Sequence, residues 1–134
     1  MTLEFALTDH PHPVSDGRRN EILSAPGFGN HFTDHMVTVD FDRDRGWHRA
    51  MVTPYGPIAL DPAAMVLHYA QEIFEGLKGY RQPDGSIAAF RPEANAERFN
   101  NSARRLAMPE FDVDDFIGAL RALFETAAPS EPEA

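Results

Sequence analysis

Lys78-Gly79-Tyr80-Arg81-Gln82-Pro83-Asp84-Gly85-Ser86-Ile87-Ala88-Ala89-Phe90-Arg91-Pro92 carries the marks that decide the fold class. Asp84-Gly85 between two short apolar stretches signals a hairpin, because glycine supplies the positive φ of a tight turn. Strands are predicted over 78–81 and 86–90, joined by a turn at 82–85. Pro92 then starts a helix, with Ala96, Phe99, Ala103 and Leu106 as its buried stripe and Pro109 ending it. Asp112 caps a further helix whose Val113, Phe116, Ile117, Leu120 and Phe124 face inward. Upstream, Asp61-Pro62 opens a helix, with Asp accepting backbone N–H bonds and Pro fitting the first turn. Its apolar face is Val66, Tyr69, Ala70, Ile73 and Leu77, and Gly76 and Gly79 stop it near Phe74 or Glu75. Further back, apolar stretches at 35–41 and 47–53 flank the polar turn 42–46 and predict a second hairpin.

The reading is an α+β domain over 28–125, with antiparallel hairpins packed with about three helices. Residues 1–27 lack periodicity and read as an arm that docks on a body without a core of its own. Residues 126–134 are Ala, Pro, Ser and Glu, a disorder-like composition.

The 134 residues give room for one domain, and 43% hydrophobic with 25% charged residues suits a globular chain. No apolar run nears the roughly 20 residues of a membrane span. The N-terminal residues lack the basic and apolar regions of a secretory signal. A net charge of −9 argues against nucleic-acid binding, which needs clustered cations to neutralise phosphates. With no cysteine, disulfides and thiolate metal sites are excluded. These features point to the cytoplasm, with no membrane and no nucleic acid as partner.

Four features bear on chemistry. Arg98 follows the buried stripe closely. It is either a solvated helix arginine or one that holds an anion with its planar fork. Tyr69 and Phe74, five apart on one predicted helix, diverge by about 140°. With Phe28 they form either ordinary packing or a set in which one ring faces a pocket or an interface. The six histidines include the spacings His10/His12 and His31/His35, but no third ligand sits at a suitable offset, so no metal is expected. Lys78 is the only lysine beside eleven arginines. Flanked by Gly76 and Gly79, it is either an accessible amine or a surface strand residue.

Three blocks carry a resemblance. Phe28-Gly29-Asn30-His31-Phe32-Thr33-Asp34-His35-Met36 resembles the opening of branched-chain amino acid aminotransferases, pyridoxal 5'-phosphate (PLP) enzymes of fold type IV. Leu67-His68-Tyr69-Ala70-Gln71-Glu72-Ile73-Phe74-Glu75-Gly76-Leu77-Lys78-Gly79-Tyr80 is similar to that family's helix-to-strand segment. Phe90-Arg91-Pro92-Glu93-Ala94-Asn95-Ala96-Glu97-Arg98-Phe99, continuing through Ser102-Ala103, looks like its phosphate-arginine helix. The blocks stand in the family's order over about residues 28–124.

The resemblance implies the N-terminal small domain of such an enzyme. Its reaction moves an amino group between Leu, Ile or Val and 2-oxoglutarate, within branched-chain amino acid biosynthesis. It places Arg98 on the PLP phosphate and Phe28, Tyr69 and Phe74 along the pocket for the substrate's branched side chain. The residue matching Tyr69 reaches the neighbouring subunit's active site in the family, which implies a homodimer. The Schiff-base lysine lies downstream in the family, so no catalytic residue is expected here, Lys78 matches a non-catalytic lysine, and the isolated chain is a fragment expected to be inactive. A second reading keeps the fold without catalysis, as an interaction or oligomerisation module.

Overall fold

A computed structural model describes residues 2–127. The chain divides into two compact units, one built on Leu3–Tyr55 with the described residues from Arg121 onward, the other on Gly56–Leu120.

In the first unit, the polar turn forms as its residues require. Asp42 Oδ1 accepts the N–H groups of Asp44 at 3.0 Å and Arg45 at 2.7 Å, and Arg45 Nε donates to Asp42 Oδ2 at 2.7 Å. These bonds, that from the Arg45 backbone first, hold the Asp42 carboxylate below its ordinary range. The turn joins β2 (His35–Asp42) to β3 (Gly46–Pro54), which pair antiparallel. The register slips between Thr38 and Asp40, and the extra residue lies on β3, where Arg49 adopts φ 50°. Ala50 and Val52, two residues apart on β3 and so on one face of the pleat, are buried. Phe41 and Trp47 meet across the strands with ring centroids 5.1 Å apart.

The N-terminal segment holds more structure than its composition suggests. Ala6–Leu7 forms β1, parallel to β3 with Leu7 opposite Val52, so the sheet order is β1-β3-β2. Asp16–Ser24 forms helix α1, whose N-cap Ser15 Oγ accepts the Arg18 N–H. None of its residues is buried. Ion pairs at i,i+3, Arg19 with Asp16 and Arg18 with Glu21, support it instead. Both Asp34 oxygens accept the Val14 N–H at 3.2 Å, and Arg19 stands 3.5 Å from Asp34.

The second unit contains helix α2 (Met65–Tyr69), strands β4 (Gly79–Arg81) and β5 (Ile87–Ala89), helix α3 (Pro92–Arg105) and the start of α4 (Val113–Ala127). β4 and β5 pair antiparallel around the Asp84-Gly85 turn, with Gly85 at φ +86°. Asp84 Oδ1 accepts both the Ser86 hydroxyl and its N–H, which hold that carboxyl below its ordinary range.

The helix expected from Asp61 to about Glu75 is a correction: only Met65–Tyr69 is helical. Asp61 caps a turn rather than a helix, accepting the Ala63 N–H at its side chain and the Ala64 N–H at its carbonyl. Ala70 at φ 48° then ends α2, and residues 70–78 run without regular structure. The five residues of α2 bury none of their number. A short helix draws its stability from packing one face, and without that packing the apolar period alone does not extend it.

α3 begins at Pro92 and buries Asn95, Ala96, Asn100 and Ala103. Leu106, expected in that stripe, is 41% exposed. It lies past the helix end, where Ala107 at φ 53° donates to the Arg104 carbonyl and Met108 N–H to that of Ala103. This is a Schellman ending, with alanine in the position glycine usually takes. Asp112 Oδ1 accepts the Asp114 N–H and caps α4 as expected. Phe99 and Phe116 pack with centroids 5.7 Å apart, and Phe111 and Asp115 are buried. The chain is therefore α+β, with one antiparallel hairpin in each unit. Thr126 and Ala127 belong to α4, and the rest of the expected tail lies outside the described residues.

Candidate functional site

α3 sets the geometry of the site. Asn95 and Arg98 are three residues apart, so their side chains leave neighbouring positions on one flank of the helix. Both reach the irregular segment 70–78. Asn95 Nδ2 donates to Glu75 Oε1 at 2.8 Å and to the Gly76 carbonyl at 3.1 Å. Arg98 Nε donates to Glu75 Oε2 at 2.9 Å, and Arg98 Nη2 donates to Glu75 Oε1, a two-point fork on one carboxylate. The Glu75 side chain is only 6% exposed, whereas that of Arg98 is 62% exposed.

A guanidinium has five N–H donors, and this carboxylate uses one on Nε and one on Nη2. The Nη1 edge remains directed away from Glu75. Arg98 hydrogen bonds, with smaller help from Asn95, outweigh burial and hold the Glu75 carboxylate below the ordinary glutamate value of 4.5. Glu75 in turn raises Arg98 above its ordinary value. A depressed carboxylate contributes stability that is fully present above the unfolded value and is lost as pH falls through the lower folded value. The protection of amides 74–76, taken as exchange relative to its intrinsic rate at each pH, is therefore expected to fall only below about pH 4.5, as Glu75 becomes protonated. Protection already lost at pH 6 would contradict this pairing.

The expected aromatic residues stand on three different backbone settings. Phe28 lies fully exposed between Gly27 at φ +65° and Gly29 at φ +70°, so two left-handed residues set its direction. It belongs to the first unit. Tyr69 closes α2 and is 74% exposed, and Phe74, in the irregular segment, is 90% exposed. Its ring carbons lie within 3.5 Å of where a Cβ on Gly76 would stand. Phe74 thus directly precedes the residue that grips Arg98. Lys78 is exposed just before β4.

Glu75 and Asn95 are the residues that sequence reasoning missed. The signal available was their residue types: an Asn three positions before the arginine on α3, and an acid next to Phe74. His10 and His35 meet edge to face at 5.8 Å. Among the described residues, no group of three or more His, Asp or Glu is placed to hold a metal ion, and no helix is long and apolar enough to cross a membrane.

No family model matches the chain. A probable branched-chain-amino-acid aminotransferase of Streptomyces coelicolor is 64% identical over 122 residues, covering 91% of this chain and 34% of the relative. A branched-chain-amino-acid aminotransferase of Mycolicibacterium smegmatis is 60% identical over 121 residues, covering 90% of this chain and 33% of the relative. One of Mycobacterium tuberculosis is 56% identical over 122 residues, covering 91% of this chain and 33% of the relative. The chain thus spans about a third of the length of the curated relatives it matches. These homologues are branched-chain-amino-acid aminotransferases by name, as the three sequence blocks lead one to expect.

Proposed function

We propose that this chain is the N-terminal small domain of a PLP-dependent branched-chain amino acid aminotransferase. In this reading 28–125 is the domain, 1–27 its arm, and the cofactor-bearing lysine lies in the remaining two-thirds of the subunit. The observation that carries the reading within the fold is Arg98. Its guanidinium is exposed and fixed at one edge by an enclosed carboxylate, with N–H donors left over for an anion. Those donors fit a phosphate dianion, which accepts paired, charge-assisted bonds from a planar fork.

When bound, PLP supplies the electron sink that lets an amino group leave one carbon skeleton for another. This chain's own part is binding and orientation. Arg98 holds the phosphate. Phe28, Tyr69 and Phe74 are each assigned to the lining of the pocket for the branched side chain of Leu, Ile or Val, as the resemblance implies. Each CH₂ buried against an aromatic ring contributes about 0.8 kcal/mol, which favours these substrates over smaller ones. The amino group passes to 2-oxoglutarate, and the work belongs to branched-chain amino acid biosynthesis in the cytoplasm. A homodimer belongs to the same reading, because the residue matching Tyr69 reaches the neighbouring subunit's active site in the family that the chain resembles.

Borohydride reduction with PLP, followed by mass analysis, tests the assignment. The complete subunit is expected to gain one pyridoxyl group, on a lysine outside these 134 residues, while the 134-residue chain alone gains none. A stoichiometric adduct on Lys78 would overturn the reading and make this chain a PLP protein by itself.

A further inference from the structure

The irregular segment 70–78 carries Phe74, yet no helix or strand fixes its backbone there. Its ties to α3 converge on two adjacent residues. Asn95 grips Glu75 and the Gly76 carbonyl, and Arg98 grips Glu75. Gln71 Nε2 adds one bond to the Leu106 carbonyl at 2.8 Å. We propose that Glu75 is a positioning residue that aims the Arg98 guanidinium at the cofactor phosphate and, through the same carboxylate, holds the Phe74 segment in place. The proposal rests on the assignment of Arg98 to the phosphate.

The physical case is one of geometry against charge. A carboxylate next to a phosphate-binding arginine lowers the net positive charge offered to the anion, and on charge alone Glu75 would weaken binding. An exposed arginine, however, has four flexible side-chain torsions, and ordering them costs conformational entropy that free binding must supply. Glu75 is itself enclosed and is fixed by Asn95, so it orders Arg98 before the anion arrives. It occupies the Nε and Nη2 side and leaves the Nη1 edge for the ligand. Preorganisation of this kind raises affinity by lowering the cost of ordering on binding. The carboxylate is ionised at neutral pH, and the bonds from Arg98 hold it below its ordinary range despite its burial.

A double-mutant cycle on PLP affinity, measured with the complete apo-subunit by absorbance titration, tests this. Thermal melts of each variant verify folding. Glu75→Ala is expected to weaken PLP roughly tenfold, Glu75→Gln less because one oxygen still accepts from Arg98. On the Arg98→Ala background, Glu75→Ala is expected to have no further effect, because its influence runs through the arginine. KM for leucine at saturating PLP is expected to rise more in Glu75→Ala, which removes the bonds from both Asn95 and Arg98 to that carboxylate, than in Arg98→Ala, which leaves Asn95 holding Glu75 and Gly76. An equal Glu75→Ala loss on both backgrounds would mean a merely structural role and overturn the proposal. So would unchanged or tighter PLP binding in Glu75→Ala, which would make Glu75 a competitor for the arginine. Unchanged binding in Arg98→Ala alone would instead sink the phosphate assignment, and the positioning role with it.

Discussion

Arg98→Ala in the complete subunit is expected to weaken PLP retention by roughly 10- to 100-fold, the range for losing a charged hydrogen bond to an anion. Arg98→Lys should recover part of that loss, since an ammonium keeps the charge but lacks the two-pronged edge. Equilibrium dialysis of the apo-protein against PLP, read by absorbance, gives the ratio directly. The fold should survive, because the Arg98 side chain is 62% exposed and the buried stripe of α3 is Asn95, Ala96, Asn100 and Ala103. The Glu75 carboxylate, left with Asn95 and the local backbone, should titrate higher than in the parent chain, because its largest stabilising partner is gone. If PLP content stays at the parent level, Arg98 does not hold the phosphate.

Asn100→Ala is expected to produce the largest loss of stability. Asn100 Nδ2 donates to the Phe111 carbonyl at 2.7 Å, and its Oδ1 accepts the Phe111 N–H at 2.8 Å. Both residues are buried, with 8% exposure each. One amide side chain therefore satisfies both backbone groups of Phe111 and fixes the connection between α3 and α4. Removing it takes the Asn100 bonds away from a buried donor and a buried acceptor, at about 1–3 kcal/mol each, so a total of about 2–6 kcal/mol is expected. For a domain of this size that lowers Tm by roughly 10 °C or more. Asn100→Asp should fall between, because a carboxylate accepts the Phe111 N–H but cannot donate to its carbonyl. Calorimetry on the three proteins decides it. A loss below about 1 kcal/mol for Asn100→Ala would show that solvent replaces the brace, and that the α3–α4 connection is held by apolar packing instead.

Local signals in the sequence translate directly into structure wherever the decisive partners lie within a few residues. The turns at Asp42 and Asp84-Gly85, the Pro92 start of α3 and the Asp112 cap of α4 form as read. Each depends on a glycine's positive φ, a proline's fixed φ or a side chain bonding to its own neighbourhood, and none needs the rest of the chain. The three blocks that resemble branched-chain aminotransferases are likewise residue patterns, and relatives at 56–64% identity match them. α1 escaped notice because a helix with no buried residue leaves no apolar period, and its capping serine and ion pairs are weaker marks.

The sequence by itself thus determined the α+β class, the two hairpins and the kinship. Only the tertiary structure decided how far α2 runs and which carboxylate Arg98 pairs with. Five residues of α2 remain helical because no face of it is buried, and burial is a property of what packs against a helix rather than of the helix. The fork between Arg98 and Glu75 joins residues 23 positions apart, and that between Asn95 and Glu75 joins residues 20 apart. No periodicity spans such separations. Only the folded chain, by bringing α3 against the irregular segment, turns an arginine with two possible readings into one with a fixed direction.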